Sequence, residues 1–307
     1  MSLNVASLKS RARGCLLAAA CGDALGGPLE FMGPLEIERT HGEVRDFIGG
    51  GWLSLRPGEV TDDTFMMLDL ARSLVENGML DPHDVAQRWV RWMQSGPSDI
   101  GGTVSQALEL IQDGTPWDEA GALVDEKAEL SGGALGNGSI MRCSPVALAF
   151  HDDPASLVRA SLDSSRITHA NPVCQWATVA LNVMVFSLLR GDGEGYIELA
   201  VEATPEATVR ETLLVAADKS ERDLKAGGHV LDTLESALWA FGNTDSLEEA
   251  LVAAVNLGGD ADTRGAVVGA LAGAKYGEDA IPERWLDLLE GSDEIANLAE
   301  QLLRIGA

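Results

Sequence analysis

Two stretches of this 307-residue chain set carboxylates and hydroxyls side by side just ahead of an apolar run. Thr61, Asp62, Asp63 and Thr64 precede Phe65-Met66-Met67-Leu68, and Asp260, Asp262 and Thr263 precede Val267-Val268-Gly269-Ala270-Leu271. Each stretch fits a helix N-terminus, where Asp and Thr oxygens accept free backbone N–H groups and the dipole favours negative charge. Capping uses one acceptor per helix. It leaves unexplained the two adjacent carboxylates at the first start and the Asp-x-Asp-Thr at the second. If the two starts meet, four carboxylates repel one another unless a cation sits between them. Neither stretch contains His or Cys, and such a hard oxygen set suits Mg²⁺ or Mn²⁺ rather than zinc. Two ions ~3.5–4 Å apart would share a bridging carboxylate and a bridging water. Gly258-Gly259 ahead of Asp260 would let another backbone come close.

Four further clusters offer binding chemistry, each with a plainer reading beside it. Gly136-Asn137-Gly138-Ser139-Ile140-Met141-Arg142 reads as a Gly-rich turn opening a helix, whose N–H groups would face an anion such as a diphosphate. The plainer reading is a turn with Ser139 as cap. His169, in Thr168-His169-Ala170-Asn171-Pro172, is either a ligand contact or a hydrogen-bonded loop histidine. Gly22-Asp23-Ala24-Leu25-Gly26-Gly27-Pro28-Leu29-Glu30 is a helix end and turn that would carry Glu30 as a carboxylate on a loop. Asp99-Ile100-Gly101-Gly102-Thr103 is an acceptor before a glycine turn.

The elements that must position these groups are helices. Apolar residues recur with a period near 3.6 over 7–21, 63–76, 83–94, 102–112, 140–150, 154–166, 172–189, 230–241, 247–256, 263–276 and 283–303, and no convincing alternation appears. Asp81-Pro82, Thr115-Pro116 and Asp153-Pro154 each put Pro at a first helical position after an acceptor. Segment 172–189 is apolar nearly all round, which predicts a central buried helix. No linker interrupts the pattern, so the expectation is one all-α domain over 4–307.

Composition narrows the partners. The net charge of −26 argues against nucleic acid and anionic membranes as partners. No apolar run is expected to approach the ~18 residues that span a bilayer. Cys15, Cys21, Cys143 and Cys174 form no Cys-x-x-Cys pair and sit among apolar neighbours, which predicts reduced, buried thiols in a cytoplasmic protein. The stretch from Lys9 to Cys21 imitates a lipoprotein leader, but its apolar run falls short of the ~7–15 residues required. A monomer is expected.

Taken in order, Gly22-Asp-Ala-Leu-Gly26 with Pro28 and Glu30, Thr61-Asp-Asp-Thr64, Asp99-Ile-Gly-Gly-Thr103, Gly136-Asn-Gly138 with Met141-Arg142, Thr168-His169 with Pro172, and Gly258-Gly-Asp-Ala-Asp-Thr263 resemble the ADP-ribosylglycohydrolase family, of the dinitrogenase-reductase-activating type. The resemblance runs from about residue 12 to 277. It implies an all-α domain with a dinuclear Mg²⁺ or Mn²⁺ site. It implies Thr61, Asp62, Asp63, Asp260, Asp262 and Thr263 as metal ligands, and Glu30, Asp63 and Asp99 as the carboxylates that manage protons. It implies Gly136, Asn137, Gly138, Ser139 and Met141 as the wall around diphosphate and ribose, with His169 a further contact. Ala261 and Arg264 depart from the pattern; Arg264 would either reach a phosphate or pair outside. The implied activity is hydrolysis of the C1″ bond between ADP-ribose and a side chain of a protein or a small substrate. Arginine is the expected side chain because an acidic cleft admits a guanidinium, with serine-linked or polymeric ADP-ribose as the alternative. Rival readings are a non-catalytic ADP-ribose binder and a metal-dependent phosphohydrolase.

Overall fold

A computed structural model describes residues 5–191 and 195–305. Helix α1 (Val5–Gly26) leads through a 3-10 turn to α2 (Pro34–His41). A looped segment then feeds α3 (Asp62–Asn77), α4 (Pro82–Gln94), α5 (Gly102–Gln112) and α6 (Trp117–Ala128). Next come α7 (Ser144–Ala149), α8 (Pro154–Arg166), α9 (Pro172–Leu189), α10 (Tyr196–Ala203), α11 (Ala207–Val215), α12 (Val230–Gly242), α13 (Leu247–Asn256), α14 (Ala261–Tyr276), α15 (Glu283–Leu286) and α16 (Ser292–Leu302). Among the described residues there is no strand, only isolated bridges between Gly50 and Leu55 and between Gly136 and His229. The all-α expectation holds.

The axis of the molecule is the antiparallel pair α1 and α14. Both carry small residues every fourth position: Gly14, Ala18, Gly22 and Gly26 on one, Gly265, Gly269 and Gly273 on the other. The backbones touch along these rows. A Cβ on Gly22 would lie 2.0 Å from the Gly265 carbonyl oxygen, and one on Gly269 would lie 2.0 Å from that of Ala18. Only hydrogen fits there. The antiparallel sense puts the end of α1 beside the start of α14, which brings Asp23 and Asp262 into one neighbourhood.

Around this pair the remaining helices close one contiguous apolar core, with a small satellite under α5 and α6. Helix α9 runs 172–189 as expected and packs against α7, α8, α10, α12 and α14. By length and mean hydropathy, 1.6, it does reach the bilayer-crossing threshold that the sequence reading withheld from every segment; 83% of it is buried inside the protein, as befits a core helix. All four cysteines are buried and unpaired. The helix starts at Asp81-Pro82 and Asp153-Pro154 are capped as expected, each Asp accepting two backbone N–H groups, whereas at Thr115-Pro116 the helix begins one residue later, with Pro116 as its N-cap and no side-chain cap.

Helices α2, α6, α10 and α11 lie outside the segments expected to be helical, and three of the expected segments differ in extent. The helix read at 140–150 is only Ser144–Ala149, because Pro145 holds it to a start at its own first turn and leaves 138–142 as a turn. The helix read at 283–303 breaks into α15 and α16 at Gly291, whose φ of 74° is left-handed. Helix α1 continues past residue 21 to Gly26 and so carries Asp23 within it.

Candidate functional site

Asp23 is fully buried, and it organises the first acidic cluster. Its carboxylate accepts the backbone N–H of Thr61 at 3.1 and 3.0 Å and that of Thr64 at 3.2 Å. The hydroxyls of Thr61, at 2.8 Å, and Thr64 donate to it as well. The N-terminus of α3 is thus capped from another helix, and its own N-cap residue, Thr61, supplies no side-chain cap. Asp260, the N-cap of α14, supplies none either. Capping therefore does not consume Asp62, Asp63 or Asp260, and the plainer reading of these clusters fails at the point where it was needed.

The two helix starts meet. Thr263 Oγ1 donates to Asp63 Oδ2 at 3.4 Å across 200 residues of sequence. Single carboxylate oxygens of Glu30, Asp260 and Asp262 all lie within 4.8 Å of one another. Asp63 Oδ1 is buried without a hydrogen-bond partner. Burial pushes the carboxyls of Asp62, Asp63 and Asp262 well above the usual range, and neighbouring carboxylates push them further. Burial also raises Asp99 and lifts Asp23 to about 6. Glu30 is pushed up to about 7, by burial first and then by Asp99 and Asp260, against the hydrogen bond it accepts from Trp52 Nε1. A buried carboxylate oxygen without a donor, within a converging set of like charges and hydroxyls, is what a hard divalent cation would satisfy. The donor set fits Mg²⁺ or Mn²⁺.

Two loops hold Glu30 and Asp260 together. Phe31 N–H donates to the Gly259 carbonyl, and Gly259 N–H donates to that of Met32, each at 2.7 Å. Gly258 and Gly259 both adopt left-handed φ, 66° and 67°, and a Cβ on Gly259 would lie 1.9 Å from the Ala226 carbonyl oxygen. The glycine pair is required on both counts. Arg264 neither reaches the cleft nor pairs outside. It is fully buried, and it donates to the carbonyls of Ala254 and Gly258 and to Ser236 Oγ, bracing the turn that delivers Asp260.

The glycine turn forms the opposite wall. Asn137 N–H donates to the Gly228 carbonyl at 3.1 Å, and Asn137 Nδ2 donates to Asp260 Oδ2 at 2.6 Å and to Thr233 Oγ1 at 2.8 Å. The ring of His169 lies against Gly136 and Gly138, with no room for a Cβ on Gly138. Arg142, buried and stacked 3.8 Å over the Trp89 ring, donates through Nη2 to Thr168 Oγ1 at 2.6 Å. Thr168 Oγ1 is in turn 2.8 Å from His169 Nδ1. The guanidinium can only donate, and among the described residues the Thr168 hydroxyl proton has no acceptor but Nδ1. Nδ1 is therefore the acceptor, and the ring proton sits on Nε2, at the glycine wall. Burial and the nearby guanidinium hold His169 neutral, its pKa down to about 3.

Glu30, Asp62, Asp63, Asp99, Gly136, Asn137, Gly138, Met141, His169, Asp260, Asp262 and Thr263 line one cleft of about 220 Å³. Two expected residues stand outside its lining. Thr61 lies behind Asp62 with its hydroxyl turned to Asp23, and Ser139 is buried with its hydroxyl unpartnered. Sequence reasoning assigned no role to Asp23, Arg142 or Thr168. Its available signals were a lone acid inside the apolar Cys21–Leu25 run and an Arg flanked by Met141 and Cys143. The first turn of α5, Gly102 and Thr103, also faces the cleft.

Comparison with known proteins agrees over nearly the whole length. The profile of the ADP-ribosylglycohydrolase family matches residues 4–306. An ADP-ribosyl-[dinitrogen reductase] glycohydrolase of Rhodospirillum rubrum is 39% identical over 292 residues, covering 92% of each chain. An ADP-ribosylarginine hydrolase of Serratia proteamaculans (strain 568) is 38% identical over 308 residues, covering 95% of this chain and 78% of that one. A solved structure described as an ADP-ribosylglycohydrolase-related protein complex superposes with a TM-score of 0.85 at 36% identity, over 98% of this chain and 100% of that one.

Proposed function

This chain belongs to the ADP-ribosylglycohydrolase family, and from that premise we propose that it releases ADP-ribose from ADP-ribosyl-arginine by cleaving the C1″ glycosidic bond. It is a glycosidase-type hydrolase, and its relatives are named for action on ADP-ribosylated dinitrogen reductase and on ADP-ribosylarginine. The observation that carries the finer reading is the meeting of two acidic helix starts whose Asp62, Asp63 and Asp260 carboxylates are not spent on capping, while Asp262 gives one oxygen to the Thr263 N–H.

Asp62, Asp63, Asp260, Asp262 and Thr263 would hold two Mg²⁺ or Mn²⁺ ions, with Glu30 close enough to join them, and Thr61, whose hydroxyl is turned to Asp23, would support them by fixing the start of α3. Bound divalent ions would supply Lewis acidity at the ribose and offset the charge of the carboxylates. The chain's own residues do the rest. Asn137 orients Asp260 through its amide. His169 offers a neutral N–H donor at the glycine wall to an oxygen of the diphosphate or ribose. The excess of carboxylates around the cleft favours a cationic guanidinium leaving group over a neutral one. Glu30, on the mouth loop and half exposed, is the carboxylate that can exchange protons with solvent, which suits a group that trades protons with the leaving group or the attacking water. The glycosidic transition state is oxocarbenium-like, and the surrounding carboxylates oppose its developing positive charge. The four unpaired thiols support a cytoplasmic setting.

The test is to offer ADP-ribosyl-arginine and ADP-ribosyl-serine peptides with Mg²⁺ or Mn²⁺ and to quantify free ADP-ribose. Release from the arginine peptide supports the proposal. Release from serine alone overturns the linkage, and release from neither overturns the activity.

A further inference from the structure

Next to the acidic cleft lies a second cavity, of about 150 Å³, between the 53–55 turn, the first turn of α3 and the end of α4. One side of it is apolar, formed by Leu53, Leu55, Phe65 and Trp92, while Glu59, Thr61 and Ser98 add polar groups to the rest of its lining. Its inner wall is made by Asp62 and Asp99, two of the carboxylates that line the main cleft. Asp62 and Asp99 lie within hydrogen-bonding reach of each other, so the two cavities share one acidic partition. Phe65 stays 41% exposed on this face although the rest of its helix start is buried.

The partition locates the second cavity along the substrate. In the reading proposed above, ADP-ribose occupies the main cleft, between the glycine wall and the acidic centre, and its C1″ end stands at the carboxylates. A cavity that starts at those carboxylates and leads away from the glycine wall lies on the side of the leaving group. Its chemistry is also selective. Carboxylates at the inner end suit a planar cation, and aliphatic and aromatic walls beyond them suit a methylene stem. A serine side chain is too short to use such walls.

Resting on the hydrolase reading above, we infer that this second cavity is the acceptor subsite and takes the arginine side chain of the substrate. The guanidinium sits at Asp99, and the three methylenes lie along Leu53, Leu55, Phe65 and Trp92. The cavity, rather than the metal-ligand set, then confers preference for arginine-linked substrates.

The experiment separates this claim from the hydrolase claim by using a probe that cannot be cleaved. Agmatine, a guanidinium on an aliphatic stem, is titrated into the full chain saturated with Mg²⁺ and ADP-ribose, with ethanolamine as the short-chain control. Wild-type protein is expected to bind agmatine and not ethanolamine. Phe65→Ala removes a wall and Leu53→Arg sets a fixed cation at the mouth. Each should weaken agmatine by about tenfold, the scale of a lost hydrophobic pocket contact. Both should raise KM for ADP-ribosyl-arginine in the same proportion and leave the Kd of ADP-ribose alone within about twofold, inside the range of a neutral surface change. No agmatine binding to wild type, or agmatine binding that ignores both substitutions, overturns the inference. So does a loss of ADP-ribose affinity in step with that of agmatine. Agmatine binding that responds to both substitutions, without hydrolysis of the arginine peptide, supports the subsite and refutes the hydrolase reading alone.

Discussion

Replacing Gly265 by Ala tests whether the α1–α14 contact positions the acidic centre. A Cβ at Gly265 would lie 2.2 Å from the Gly22 carbonyl oxygen and 2.6 Å from its carbon. Carbon–oxygen contacts settle near ~3.3 Å, so the two helices must part by roughly 1 Å at that point. Residue 265 is less than one turn from Asp262, and Gly22 is adjacent to Asp23, which holds the start of α3. The separation is therefore delivered directly to the meeting of Asp63 with Thr263, which is already at 3.4 Å. Helix propensity favours the substitution by ~1 kcal/mol and overpacking opposes it by ~1–3 kcal/mol, so the net loss of stability is small, ~0–2 kcal/mol. A misplacement of ~1 Å at a reacting centre lowers the rate by ~10²-fold. The assay is ADP-ribose release from an arginine-linked peptide, beside calorimetric Mn²⁺ titration and thermal melting. Gly242→Ala is the control, because its Cβ would meet only Ala217 Cβ at an ordinary 3.4 Å. Wild-type turnover and Mn²⁺ affinity in Gly265→Ala would refute the argument.

Other expectations follow from the same geometry. Asp262→Ala should abolish Mn²⁺ binding in calorimetry and all turnover while far-ultraviolet circular dichroism stays helical; retained turnover would remove it from the centre. Asp23→Ala should lower stability by ~1–2 kcal/mol, as a lost cap does, and also weaken Mn²⁺; unchanged melting would show that α3 needs no partner there. Thr168→Val should let the Nδ1–H form of His169 appear in nitrogen-15 spectra and raise KM by ~2–10-fold, the worth of one neutral hydrogen bond. Unaltered spectra would break the Arg142–Thr168–His169 chain. Finally, raised carboxyl pKa values mean the folded, metal-free protein binds protons more tightly than the unfolded chain. That stability is complete below the unfolded values near ~4 and is lost as pH rises through about 6 for Asp23 and about 7 for Glu30. Metal-free Tm should fall between pH 5 and 8, and Mg²⁺ should raise it more at pH 8; a Tm that climbs with pH would contradict the assignment.

Much of this was readable in one dimension because helices announce themselves by period and by their starts. Residues 154–166 and 172–189 begin where Asp153, Asn171 and the following prolines require. The misread ends, at 140–150 and 283–303, are places where one residue, Pro145 or Gly291, overrides a continuing apolar pattern. The acidic clusters were legible as residue types, but their meeting was not. It depends on two rows of small residues that read only as mixed and unremarked positions until the helices are laid together. Asp23 escaped notice because its partners are backbone N–H groups nearly forty residues away. Arg264 was misjudged because a charged residue beside a metal-ligand pattern invites a ligand role, whereas its partners are carbonyls of the turn before it.

The pairing of Phe31 and Met32 with Gly259 has a mechanical consequence. The segment bearing Glu30 cannot swing outward without tugging the residue that precedes Asp260, because two short backbone bonds tie them. In the proposed reading, gating and ion retention would be one motion: whatever widens the doorway for a bulky modified protein would also loosen one corner of the cage, and closing down over a bound sugar would draw it tight again.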